Sequence, residues 1–152
     1  MPEDLPQHED LEPNDWGEIL ERRPIPTPAE GANRSACWLR VKAPLADDQG
    51  TQACALAYTS DDIPTEAAAL SHPRSRPFTK DPGNHGEIFV GASLDHSIWF
   101  HRPSRQDDWV LHDFQSYGLV GARGLSIGQI YSRDGLHLAT IAQEILLRER
   151  TR

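Results

Sequence analysis

The second half of this chain keeps a period of two. Runs at 88–101, 108–116, 125–132 and 138–147 are apolar or alternating over strand lengths, and Asp134-Gly135 lies between the last two. Successive side chains on a strand face opposite ways. An Asp-Gly pair supplies the positive φ angles of a tight hairpin turn. This half therefore has to form antiparallel neighbours, and a sheet of that kind needs something apolar to cover one face. The first half offers it. Residues 51–58 are rich in Ala, Leu and Cys, and Asp47-Asp48-Gln49-Gly50 ahead of them breaks the chain and provides a helix cap. Pro64 kinks or restarts the helix, with 65–70 as a further helical piece. Residues 37–42 alternate as a short strand. One strand, a largely apolar helix and three or four antiparallel strands make an α+β order, with the helix across one face of the sheet.

The remaining segments read as connections. The first fifteen residues hold six acids, no Lys or Arg, and prolines at 2, 6 and 13. Residues 22–32 are rich in proline and extended. Residues 1–34 are thus expected to be an acidic, Pro-rich tail or linker, largely disordered, and 35–150 the folded domain. Residues 71–86, with three prolines, two glycines and several charges, read as a surface loop.

At 152 residues one domain is expected. A net charge of −8 argues against a nucleic-acid partner, whose phosphates need a basic surface, but leaves an anionic small ligand open. Cys37 and Cys54 are too few for a disulfide framework, which points to a reducing compartment. No apolar run is long enough to span a membrane, the acidic N-terminus is no secretory signal, and Arg150-Thr151-Arg152 is no peroxisomal address. A cytoplasmic location is expected.

Four features carry possible chemistry. Gly124-Leu125-Ser126-Ile127-Gly128 spells G-x-S-x-G, but a nucleophile elbow needs strand, sharp turn and helix. Here the pentapeptide runs on into Gln129-Ile130-Tyr131 and a hairpin, so Ser126 belongs inside a strand. His96 and His101 are five apart, on opposite faces of a strand, and no acid or Cys cluster completes a zinc site. Asp95 stands mid-strand among aromatics and small residues, which suits either a site acid or a surface residue on a half-exposed sheet. Gln143 interrupts an apolar stripe of His137, Ala139, Ile141, Ile145 and Leu147, and if buried it must find hydrogen-bond partners, structural or functional.

At these residues the sequence resembles the acyl-CoA thioesterase II family. The similarity runs through Ser93-Leu94-Asp95-His96-Ser97-Ile98-Trp99-Phe100-His101-Arg102-Pro103, then Gln115-Ser116, Ala122-Arg123-Gly124, Ile130-Tyr131-Ser132-Arg133-Asp134-Gly135 and Ala142-Gln143-Glu144. Earlier, Trp38-Leu39-Arg40 and Leu56-Ala57-Tyr58-Thr59-Ser60-Asp61 fit it too. It covers roughly residues 18–148. The resemblance implies a hotdog fold, an antiparallel sheet wrapped around a central helix, matching only the C-terminal half of a double-hotdog enzyme. It places the catalytic Asp on Asp95, the Gln on Gln143 and the hydroxyl on Ser116, with Tyr117 the neighbouring position used by some members. The sequence departs from the pattern at Gln115-Ser116-Tyr117-Gly118, where a bulky Tyr117 would narrow an acyl channel, and in the loop at 74–86.

The implied reaction is hydrolysis of an acyl-CoA thioester by a water that Asp95 deprotonates and that Gln143 and Ser116 hold in place, with a backbone N–H as oxyanion donor. No metal, cofactor or covalent nucleophile is expected. The alternatives are a non-catalytic or fragmentary half that needs a partner hotdog, and a hotdog hydratase, which would want an acid and a His sharing one site. A homodimer is expected, the second copy standing in for the other half.

Overall fold

The structure, a computed structural model, describes residues 1–7, 15–26, 33–75 and 88–150. After a 3-10 turn at Pro2–Asp4 come a short helix α1 (Asp15–Ile19) and strands β1 (Leu20–Pro24) and β2 (Arg34–Val41). Two helices follow, α2 (Gln49–Thr59) and α3 (Pro64–Ala69), then β3 (Phe89–Ser93), β4 (Ser97–Phe100), β5 (Val110–Val120), β6 (Arg123–Ser132) and β7 (His137–Glu149). The strands form one antiparallel sheet in the order β1-β2-β5-β6-β7-β3, with β4 also pairing to β7. No helix among the described residues is long and apolar enough to cross a membrane.

Local chemistry explains the elements. Asp48 caps α2, its carboxylate accepting from the Thr51 N–H at 2.9 Å. Pro64 opens α3 at the first helical positions, where its missing N–H costs nothing. Gly135, at φ +85°, turns β6 into β7 with its N–H donating to the Ser132 carbonyl at 3.0 Å; Asp134 does not share the positive φ, so the connection is longer than the two-residue hairpin the Asp-Gly pair suggests. The core lies between α3 and β5, β6 and β7. Leu39, Leu56, Phe114, Ile130 and Ile141 are fully buried there. Each such side chain contributes about 1.5–3 kcal/mol through removal from water. Ala67 enters one core cluster and Ala68 and Ala69 another, all fully buried, and their small side chains let α3 sit close on the strands.

Two expectations need correction. The sheet begins well before residue 35: Leu20–Pro24, expected within the disordered tail, pairs with β2 in register from Leu20↔Val41 to Pro24↔Cys37. Leu20 is buried and Glu21 is ion-paired to both Arg23 and Arg40. An edge strand tolerates a proline, because its outer N–H has no ladder partner to lose, which is why a Pro-rich stretch can still be a strand. The parts of the tail at 8–14 and 27–32, and most of the expected loop at 76–87, lie outside the described residues.

The second correction concerns Asp95. Residues 88–101, expected as one long strand or a bent pair, are two pieces, β3 and β4, and Asp95 lies in the break at 94–96 rather than mid-strand. Ser93 pairs with Ile145 and Ile98 with Ile141, so five steps along the edge oppose four along β7. One extra residue reverses the parity of the faces, as a β-bulge does. Ser93 and Ile98, of opposite parity in sequence, thus both pair with buried residues of the core face.

Candidate active site

The bulge and the last strand together build a polar cluster. The alternation of β7 buries Ala139, Ile141, Gln143, Ile145 and Leu147 on one face, and Gln143 is 0% exposed. Its Nε2 donates to Asp61 Oδ1 at 2.6 Å and to Ser93 Oγ at 2.9 Å. Ser93 Oγ donates in turn to Asp61 Oδ1 at 2.8 Å. On the other side Gln143 Oε1 meets His96 Nδ1, and His96 Nε2 meets Ser60 Oγ at 2.8 Å.

A carboxylate can only accept, so Asp61 orients the Gln143 amide with its NH2 toward it. Oε1 then faces His96, and Nδ1 must carry a proton to meet it. Every polar atom of this buried amide is satisfied, which an isolated amide in an apolar stripe requires. Ser60 and Asp61 come from the turn that ends α2, Ser93 from the end of β3, and His96 from the bulge.

Asp95 stands beside this cluster. Its Oδ1 accepts from the Glu144 N–H at 2.8 Å, so the bulge ties it to the residue next to Gln143. The side chain is exposed, and it lines a cleft of about 420 Å³ with Ala57, Tyr58, Asp61, Ser93, Leu94 and His96. Asp95 and Gln143 are therefore neighbours, with Gln143 one layer behind the cleft wall.

Ser116 is placed elsewhere. The registers Ser116↔Ser126 and Ser126↔Gln143 put the three in one row across β5, β6 and β7. With strands about 4.8 Å apart, Ser116 and Gln143 stand about 10 Å apart. Ser116 Oγ accepts from Ser71 Oγ at 2.6 Å and from the Gly118 N–H at 3.3 Å. Among the described residues no hydrogen bond joins Ser116 to Asp95 or Gln143. Tyr117 points away from this row and is 61% exposed.

Ser126 lies within β6, as its surroundings predict, and donates to the Pro64 carbonyl at 2.7 Å beneath α3. His101 meets Thr140 Oγ1 at 2.9 Å, on β7 and away from His96. Among the described residues no group of three or more His, Cys, Asp or Glu could hold a metal ion.

Sequence reasoning does not single out Asp61, Ser93 or Ser60 as site residues, and it weighs His96 only as a metal ligand or as a relay partner of Asp95. Asp61 and Ser60 stand in the string Leu56-Ala57-Tyr58-Thr59-Ser60-Asp61 that carries part of the resemblance. That string was the available signal, but nothing local shows that a turn after a helix will meet β7.

Residues 2–147 match the family described as the acyl-CoA thioesterase C-terminal domain. The chain is similar to acyl-CoA thioesterase 2 of Haemophilus influenzae, 40% identical over 111 residues, which span 73% of this chain and 36% of that relative. It is also similar to the crystal structure of acyl-CoA thioesterase II TesB2 from Mycobacterium marinum, at TM-score 0.73 and 30% identity, over 99% of this chain and 54% of that one. A conserved protein with a hot dog fold from Alicyclobacillus acidocaldarius shares the architecture at TM-score 0.70, with 17% identity over 99% of this chain and 53% of that one. The fold is the hotdog, a curled antiparallel sheet around a helix. The chain spans about a third of the length of the curated relatives it matches and about half of the Mycobacterium marinum and Alicyclobacillus acidocaldarius structures.

Proposed function

The chain belongs to the acyl-CoA thioesterase C-terminal domain family, and from that premise we propose that it hydrolyses acyl-CoA thioesters to a free carboxylic acid and CoA. The observation that carries the reading is the pairing of Asp95, exposed at the cleft, with the buried, fully bonded Gln143 on the strand behind it. A base at a water-accessible surface and a fixed amide backing it are what a water-attack mechanism needs.

In this reading the Asp95 oxygen that does not hold Glu144 accepts a proton from a water in the cleft. The water oxygen attacks the thioester carbonyl carbon, and the resulting tetrahedral oxyanion collapses with loss of the C–S bond. The proton held on Asp95 passes to the departing thiolate, giving the acid and the CoA thiol. Gln143 fixes the cleft wall through Asp61, Ser93 and His96, and so fixes the water. Ser116 secures the far end of the same polar row. The acyl-CoA is the small-molecule partner, and the reaction consumes only water.

The test is thiol release from an acyl-CoA by the purified chain and its variants. Asp95→Asn keeps the hydrogen bond from Glu144 and lowers turnover by ~10²–10⁴-fold, the usual contribution of a general base. Gln143→Ala lowers kcat more than it raises KM, and Ser116→Ala has a smaller effect. Near-normal hydrolysis by a folded Asp95→Asn protein removes Asp95 from the mechanism. A second reading, a half that is active only beside a partner hotdog, is favoured by the 36% span of the bacterial relative. It predicts turnover only after a partner domain is added.

A further inference from the structure

Two carboxylates, not one, line the cleft. Asp61 is half-buried, and one of its oxygens, Oδ1, takes both the Gln143 Nε2 bond at 2.6 Å and the Ser93 Oγ bond at 2.8 Å. Both donors fall on the same oxygen, which leaves Oδ2 as the atom of this cluster with acceptor capacity to spare. Gln143 itself is sealed from the cleft, at 0% exposed, and its amide hydrogens are both committed. The amide that sequence reasoning assigns to the water therefore stands behind Asp61, and Asp61 is the group it presents.

We propose that Asp61 is a further catalytic residue: its Oδ2 accepts a hydrogen bond from the attacking water, while Gln143 and Ser93 lock its Oδ1 and act as positioning residues through it. This rests on the thioesterase reading and deepens it. The water then donates one hydrogen to Asp61 and the other to Asp95, which leaves an oxygen lone pair aimed away from both carboxylates and toward the acyl carbon. Asp95 receives the proton in the attack. Asp61 keeps the hydrogen bond it accepts from the water oxygen, and its Oδ1 stays held by Gln143 and Ser93. His96 closes the assembly from the other side, holding Gln143 Oε1 so that the amide cannot turn over.

The experiment compares kcat, KM and melting temperature for the wild-type chain, Asp95→Asn, Asp61→Asn, Asp61→Glu, and Asp61→Asn combined with Gln143→Ala. Asp61→Asn keeps the side chain's shape and an acceptor for Gln143 but puts a donor where the water is held. It lowers kcat ~10²-fold, the scale of a misplaced reacting group, with KM little changed. Asp61→Glu, which retains the carboxylate, keeps more activity than Asp61→Asn; a merely structural side chain would tolerate the isosteric amide better. In the double variant, Gln143→Ala adds less than about twofold to the loss from Asp61→Asn, because residues acting as a unit are non-additive. Multiplicative losses, or wild-type kcat in Asp61→Asn, overturn the inference while leaving Asp95 in place. No turnover by the wild-type chain overturns both readings. Should Asp61→Asn fail to fold, Ser93→Ala carries the test: it removes one bond from Oδ1 and leaves both carboxylates, so a lowered kcat supports the proposal and an unchanged one sinks it.

Discussion

His112 is the buried residue with the clearest consequence outside the cleft. It is 0% exposed on β5, and neither ring nitrogen has a hydrogen-bond partner among the described residues. Burial pushes its pKa down to about 3 from the usual 6.5. The folded protein therefore binds fewer protons here than the unfolded chain does between those values. Stability is intact above pH 6.5 and is lost as pH falls toward 3, at about 1.4 kcal/mol per pH unit. Urea midpoints at pH 7 and pH 4.5 check this against His112→Leu, which should show a much weaker acid dependence; equal slopes for both proteins would count against it. The same scale shows how differently residues announce themselves. Gln143 is legible because β7 keeps strict alternation, so one amide in an apolar stripe stands out. Asp95 is legible as a residue but not in place, because a bulge adds one residue that periodicity cannot register. Asp61 is illegible locally, since its role comes from a hydrogen bond to a residue 82 positions away.

Between elements, the rejected G-x-S-x-G pentapeptide has a packing explanation. A Cβ added at Gly124 would lie 2.8 Å from the Ala68 Cβ on α3, and one at Gly128 would lie 2.3 Å from the Phe114 ring. The two glycines thus let α3 and Phe114 press onto β6, and Ser126 between them anchors the first residue of α3. Gly128→Ala is the sharper case, because Phe114 is fully buried and has nowhere to go. Overpacking of this kind typically costs about 1–3 kcal/mol, which a melting curve reads directly; an unchanged melting temperature would show that the ring relaxes freely. The strands of the C-terminal half and the helix caps are readable from sequence because their signals are local. The pairing of β1 is not, since the buried Leu20 and the Glu21–Arg40 ion pair belong to a long-range contact hidden behind Pro-rich composition.

At the scale of the molecule, the sheet leaves apolar side chains in solvent. Val90, Leu94, Trp99 and Phe100 on the β3–β4 edge, with Val120 and Leu125 on β5 and β6, are all at least 40% exposed. Patches of this kind rarely stay uncovered. A second copy would cover the edge through an isologous contact. Light scattering at micromolar concentration is expected to give a dimer, and Trp99→Glu to shift it toward monomer; a monodisperse wild-type monomer would contradict the assembly. The most direct test of the whole account needs neither a variant nor an assembly. The purified chain, incubated with palmitoyl-CoA and a thiol reagent, should release CoA thiol in proportion to enzyme and time, at a rate far above the uncatalysed background. Background release alone, from a chain shown to be folded, would contradict the claim that this domain hydrolyses acyl-CoA.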